Sequence, residues 1–276
     1  MEASTESESK VLTEPVYPTI KESWAFLGWF LLIIIAVIIP YLILSKSALN
    51  SRSPYGILFT VLINILLLAF LRWKAGYRWN RLNIIGQEQV WLYMILPLIV
   101  LGEVMVLSVT ELLHLPNWSD STFQNLAHYP FLAFGVGGIL APISEELLFR
   151  GVLLQGLLRN YRPWVGIGQT ALLFGIVHFN PAQSLNAFFI GLLLGWLYYR
   201  TQSLLVCIVV HILHNSLSFG LMIMYPEAGG IEDTIRFYGS IWVYLAVVLC
   251  SALILLALLW QVKRKTPLPS AKLSFS

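Results

Sequence analysis

Charge is scarce in this chain: Asp, Glu, Lys and Arg make up 11% of it, against 58% hydrophobic residues. A soluble domain carries about 25% charged residues, so the composition excludes a soluble fold and implies a polytopic membrane protein. Mean hydropathy is +0.76. Cysteine is equally scarce. Cys207 and Cys250 lie in separate apolar segments and are expected to be small buried hydrophobes, neither a disulfide nor a metal site. There is no tandem repeat and no low-complexity block. The first 23 residues lack the cationic start of a signal peptide; they carry Glu2, Glu6, Glu8, Glu14 and Glu22 instead. A polar, mobile, solvated cytoplasmic tail is expected over residues 1–23. The isoelectric point near 8.8 does not point to nucleic acid, because topology accounts for the basic residues.

What the chain has in abundance is apolar runs. A spanning helix needs about 20 mostly apolar residues, and eight segments qualify or nearly so: Trp24–Leu44, Gly56–Trp73, Val90–Thr110, Tyr129–Leu158, Trp164–His178, Ala182–Tyr199, Ser203–Tyr225 and Tyr238–Val262. The expected fold is therefore all-α, a single transmembrane helical domain over residues 24–262 with a basic cytoplasmic tail at 263–276. The fourth segment is too long for a simple span and invites a tilt, a kink at Pro142 or an extension past the bilayer. Numbering the connections alternately places only Lys46, Arg52 and Arg236 on one side. The other side holds Lys10, Lys21, Arg72, Lys74, Arg78, Arg81, Arg159, Arg162, Arg200, Lys263, Arg264, Lys265 and Lys272. The positive-inside rule then puts both termini in the cytoplasm. Gly135, Gly137 and Gly138, and the Gly191/Gly195 pair, suit close helix contacts. Trp24, Trp73, Trp164, Tyr198, Tyr199 and Trp260 sit where interfacial anchors belong.

Against this background Ser144-Glu145-Glu146-Leu147-Leu148-Phe149-Arg150 stands out. A charged side chain in hydrocarbon costs about 2.5–3.5 kcal/mol even on insertion scales, so three together are improbable as filler. Glu146 and Arg150 are i and i+4 with the acid first, the favourable order for an ion pair. Glu145 is turned about 100° away. The structural alternative is a buried ion pair that only fixes helix packing.

Three further segments carry polar groups: His178 at the end of the fifth, His211, His214 and Asn215 in the seventh, and Glu103 in the third. Glu145 and His178 are each about 16 residues from the turn near 160–163, so an antiparallel pair at ~1.5 Å per residue brings them level, about 25 Å from that turn. His211 and Asn215 share a helical face and fall within about a turn of the same depth. One polar cluster between helices four, five and seven is geometrically possible. A carboxylate beside a neutral imidazole can hold a water and take its proton. A second histidine and an amide can donate to a developing oxyanion. Together these groups are what peptide-bond hydrolysis requires; no Ser, Thr or Cys in these segments has a persuasive base partner.

At these residues the sequence resembles the CPBP (Abi) family of intramembrane proteases, named for CAAX-type endopeptidases and bacteriocin-processing proteins. Its three motifs read here as Glu145-Glu146-x-x-x-Arg150, Phe174-x-x-x-His178 and His211-x-x-x-Asn215. The resemblance covers residues 129–219 and implies an eight-helix endopeptidase. It implies Glu145 and His178 as activators of the catalytic water, His211 and Asn215 as oxyanion donors, and Glu146 and Arg150 as supports. A peptide or membrane-protein substrate is implied, with prenylated C-termini as one class. Zinc held by Glu145, His178 and His211 is an alternative, but His-Glu-x-x-His is absent, and the expectation is a reaction without a cofactor. His214 and Glu103 are read as neighbours of the site, packed or locally hydrogen-bonded. Two other functions compete: a non-catalytic immunity or assembly protein binding a peptide or membrane partner, and a transporter or proton relay.

Overall fold

The computed structural model describes residues 16–45, 55–76, 82–86, 90–118, 129–225 and 230–266. Tail residues 1–15 and 267–276 lie outside them, as do Lys10, Lys46, Arg52, Arg78, Arg81 and Lys272 of the charge argument. Regular structure among the described residues is helical throughout. In chain order the elements are α1 (Ile20–Ser45), α2 (Tyr55–Ala75), α3 (Val90–Leu107, prolonged by a 3-10 segment Ser108–Leu113), α4 (130–160), α5 (Pro163–Ile176), α6 (Pro181–Thr201), α7 (Leu204–Met224), α8 (Ile231–Tyr238) and α9 (Ile241–Lys265). Among the described residues four stretches are long and apolar enough to cross a membrane: Ile20–Ile39, Val90–Leu113, Leu204–Met224 and Ile241–Lys265. The apolar side chains of α9 lie outward, with Leu249, Leu253, Ile254 and Leu256 exposed. Such a face needs hydrocarbon around it, and the chain is an integral membrane protein.

Local chemistry sets the helix ends. Pro163 and Pro181 start α5 and α6, where a missing backbone donor costs nothing. Gln202 closes α6 in the left-handed conformation at φ 53°. The first amides of α7 find acceptors in a neighbouring loop: Leu204 and Leu205 donate to the carbonyls of Asn83 and Ile84 at 2.9 and 2.8 Å. Arg200 is buried and caps α9, donating to the carbonyls of Lys263, at 2.5 Å, and of Thr266. The positive-inside count places Arg200 among the cytoplasmic-side cations, and in the structure it makes this cap.

Helix α4 departs from ideal α geometry. Its α-helical turn Ala141–Glu146 is flanked by π-helical stretches Phe134–Leu140 and Leu147–Leu154. The π stretch before it accommodates Pro142, which lacks a donor, near the start of that turn. Helices α5 and α6 pack most intimately. A Cβ at Gly191 would lie 3.1 Å from Ala171 Cα, and one at Gly195 3.1 Å from Ile167 Cγ2. The two glycines therefore do what their spacing suggests and let the backbones approach. The central core is made of Leu153, Leu154, Ile167, Leu173, Leu194 and Leu197, all fully buried.

Three expectations are corrected. Residues 16–19 are not a solvated tail. Val16 donates to Asn160 Oδ1 at 3.0 Å, Asn160 Nδ2 donates to the carbonyls of Val16 and Pro18, and Tyr161 OH accepts from Ile20 at 3.2 Å. The end of α4 supplies side-chain partners for this backbone, and Gly156 leaves room for it. Tyr198 is fully buried rather than interfacial. Cys250 is exposed on α9, whereas Cys207 is buried as expected.

Candidate active site

The polar residues of the acidic motif sit on the α-helical turn between the two π stretches of α4 and just beyond it. Glu146 is fully buried and Arg150 is 1% exposed. Arg150 Nη1 donates to Glu146 Oε1 at 2.6 Å, and its Nη2 donates to the carbonyl of Gly191 on α6 at 3.2 Å. The guanidinium also lies 4.8 Å over the Phe174 ring. The i,i+4 pair expected from the sequence is present, and it ties α4 to α5 and α6 as well.

The same oxygen of Glu146 meets α7. His211 Nδ1 lies 2.7 Å from Glu146 Oε1, and His211 Nε2 lies 3.7 Å from Glu145 Oε2. One imidazole therefore bridges the adjacent glutamates. The two acids differ in environment: the Glu145 side chain is 26% exposed and that of Glu146 is not exposed at all. Glu146 Oε2 and Arg150 Nε have no hydrogen-bond partner among the described residues. The anchoring therefore concentrates on Oε1.

His178 follows α5 in the turn toward α6. Its Nδ1 lies 2.7 Å from the carbonyl of Phe174. A carbonyl can only accept, so Nδ1 carries the proton and a neutral ring leaves Nε2 as the acceptor. His178 forms no ion pair with Glu145 or Glu146; its connection to the cluster runs through Phe174. The Phe174 ring stands nearly perpendicular to both imidazoles, with centroids 5.0 Å from His178 and 5.6 Å from His211. It also meets Phe149 edge-on at 4.9 Å. The aromatic residue of the second motif thus touches Arg150 and both histidines. The turn bearing His178 is braced by the buried Asn180, which accepts from Trp118 N at 3.1 Å and donates to Asn117 Oδ1 at 2.8 Å.

Asn215, one helical turn beyond His211, donates to the carbonyl of Gly137 on α4 at 2.9 Å. One amide hydrogen is thereby engaged and a second remains. His214 does not join this group. Its Nδ1 lies 2.9 Å from Oε2 of the buried Glu103 on α3. No set of three or more His, Cys, Asp or Glu suited to a metal ion occurs among the described residues.

Several partners were not legible in the sequence. The carbonyls of Gly137 and Gly191 carry no side-chain signal. Asn64 on α2 accepts from Ser144 Oγ at 2.7 Å and secures the motif from a distant helix. The pairing of Glu103 with His214 had a usable signal: a lone intramembrane carboxylate and a surplus histidine call for each other.

No curated protein and no solved structure matches the chain. The stretch that carries the three motifs is another matter: residues 127–217 match the family model Rce1-like, described as type II CAAX prenyl endopeptidase. Across this stretch the chain is similar to the type II CAAX prenyl endopeptidases of the CPBP family, a similarity that implies CAAX-type intramembrane protease activity.

Proposed function

We propose that this protein is an eight-span intramembrane endopeptidase, with both termini in the cytoplasm, that hydrolyses a peptide bond with water activated by Glu145 and His178. The observation that carries the reading is the His211 bridge: a fully buried Glu146–Arg150 pair holds one nitrogen of an imidazole whose other nitrogen lies 3.7 Å from the partly exposed Glu145. A packing ion pair alone has no need of the second glutamate or of His178.

In this mechanism Glu145 takes a proton from the water as it attacks the scissile carbonyl. His178 Nε2 accepts a hydrogen bond from the same water, its tautomer held by the Phe174 carbonyl. The developing oxyanion is met by His211 Nε2–H and by the second amide hydrogen of Asn215. That role needs protons on both nitrogens of His211. Glu145 then returns its proton to the leaving amine. Glu146 and Arg150 act through His211 as positioning residues. Phe174 sets the mutual orientation of the two imidazoles. The substrate class is a peptide or membrane-protein segment, with a prenylated C-terminus as the form suggested by the family description.

Purified protein in proteoliposomes, given a fluorogenic prenylated CAAX-type peptide and its unprenylated twin, tests this. Glu145→Gln and His178→Ala should each lower cleavage by about 10²–10⁴-fold while unfolding at the wild-type temperature. Undiminished cleavage by both variants ends the reading; full biological activity in both variants without any cleavage by the wild type favours a binding protein. Comparing the membrane proteomes of cells carrying wild type and Glu145→Gln would identify the natural substrate.

A further inference from the structure

Glu103 and His214 are the polar pair that the hydrolytic scheme leaves unused. Glu103 lies on α3, outside the stretch that carries the motifs, and is 4% exposed. Its Oε2 lies 2.9 Å from His214 Nδ1 on α7. Whichever member holds the shared proton, the bond stands. Two ionisable side chains within membrane-spanning segments are costly, and packing alone does not require them. Apolar residues of similar volume in place of a buried pair are often neutral or stabilising. What a hydrogen bond adds is direction, since burial of apolar surface is non-directional.

Direction matters on α7. His211 and Asn215 are one turn apart on a shared face. Both are tied to α4, through Glu146 at 2.7 Å and the Gly137 carbonyl at 2.9 Å. Two ties stacked along one face act as a hinge parallel to the helix axis and leave the helix free to rock about it. His214 is turned about 60° from His211 and about 100° from Asn215, and its tie runs to a different neighbour, α3. That neighbour is itself braced against α9. A Cβ on Gly102 would lie 3.3 Å from Leu255 Cβ, and Ser108 Oγ lies 2.9 Å from the hydroxyl of the buried Tyr244. The third tie closes the hinge. At the outer radius of a helix, ~5–6 Å, a rotation of about 10° shifts a side-chain tip by about 1 Å. A displacement of that size can cost about 10²-fold in rate.

We propose that Glu103 and His214 are positioning residues of the proposed hydrolysis, fixing the rotation of α7 so that His211 and Asn215 both face the developing oxyanion. The inference rests on that reading of the site, and both residues act through His211 and Asn215.

The test compares wild type with Glu103→Met/His214→Leu, each as the full chain in proteoliposomes. The probes are the fluorogenic peptide and a phosphinate analogue of it, whose tetrahedral anion stands in for the oxyanion. The apolar double variant should unfold at or above the wild-type temperature. It should keep KM within about twofold and lose kcat by about 10²-fold. Inhibition by the phosphinate should weaken by about the same factor as kcat/KM. His214→Asn, which keeps a polar group near the Nδ1 position, should retain kcat within about tenfold of wild type. Beside an active wild type, three results would each overturn the proposal: wild-type kcat in the double variant, undiminished phosphinate inhibition, or a loss in folded His214→Asn as large as that of the double variant. So would a double variant that no longer folds, since the pair would then hold the fold itself. A wild type without peptidase activity ends the proposed hydrolysis, and this inference with it.

Discussion

Replacing Arg150 with methionine removes a cation that is 1% exposed and leaves Glu146, which has no exposed surface, beside His211 alone. Water cannot take over the lost role at either position. Breaking a buried pair by removing one partner costs about 3–5 kcal/mol, and the Gly191 carbonyl loses its donor as well, about 1 kcal/mol more. Glu146→Gln leaves the guanidinium uncompensated and should cost a similar 3–5 kcal/mol. The double variant Glu146→Gln/Arg150→Met buries no unpaired charge from either residue, and Gln still offers an oxygen to His211 Nδ1. It should therefore cost less than the sum of the single changes by about 2–4 kcal/mol. Arg150→Lys should be intermediate, because an ammonium cannot reproduce the planar fork that reaches Glu146 and Gly191 together. Reversible denaturant unfolding in mixed micelles, run on all four variants, measures the cycle. Strictly additive costs, or a loss below about 1 kcal/mol in either single variant, would refute the view that this pair holds the fold around His211.

Phe174→Leu should lower proteolysis more than stability. It removes three edge-on ring contacts worth about 0.5–1.5 kcal/mol each and the Arg150 contact, but disorders both imidazoles; parallel assays of cleavage and unfolding decide. Gly175→Ala places a Cβ 2.8 Å from the Ser184 carbonyl. It should destabilise by about 1–3 kcal/mol and reduce turnover by shifting His178, seen by comparing unfolding midpoints with kcat. Asn180→Ala deletes the side-chain bonds that join the His178 turn to Asn117 and Trp118; hydrogen exchange at residues 114–118 should accelerate. Asn160→Ala removes the anchor of residues 16–19, and limited proteolysis ahead of Ile20 should quicken without loss of the helical core.

The sequence by itself determined that the chain lives in a membrane and that it is helical, though the short helix α8 (Ile231–Tyr238) was not among its segments. Hydrocarbon solvates apolar side chains but no backbone polar group, so long apolar runs leave little choice but helix. It also determined the Glu146–Arg150 pair, because residues four apart on a helix meet whatever surrounds them. The three motifs were legible for a related reason: charge and imidazole inside apolar runs are costly enough to be noticed one residue at a time. Tertiary structure alone decided which of these groups touch. Nothing in the spacing says that His211 joins Glu146 to Glu145, that Asn215 is drawn to the Gly137 carbonyl, or that His214 turns away to Glu103. Those contacts depend on helix rotation and on the altered period of the π stretches in α4, which local sequence does not encode. The fastening of residues 16–19 was hidden for the same reason, since backbone groups carry no sequence signal until a side chain such as Asn160 reaches them.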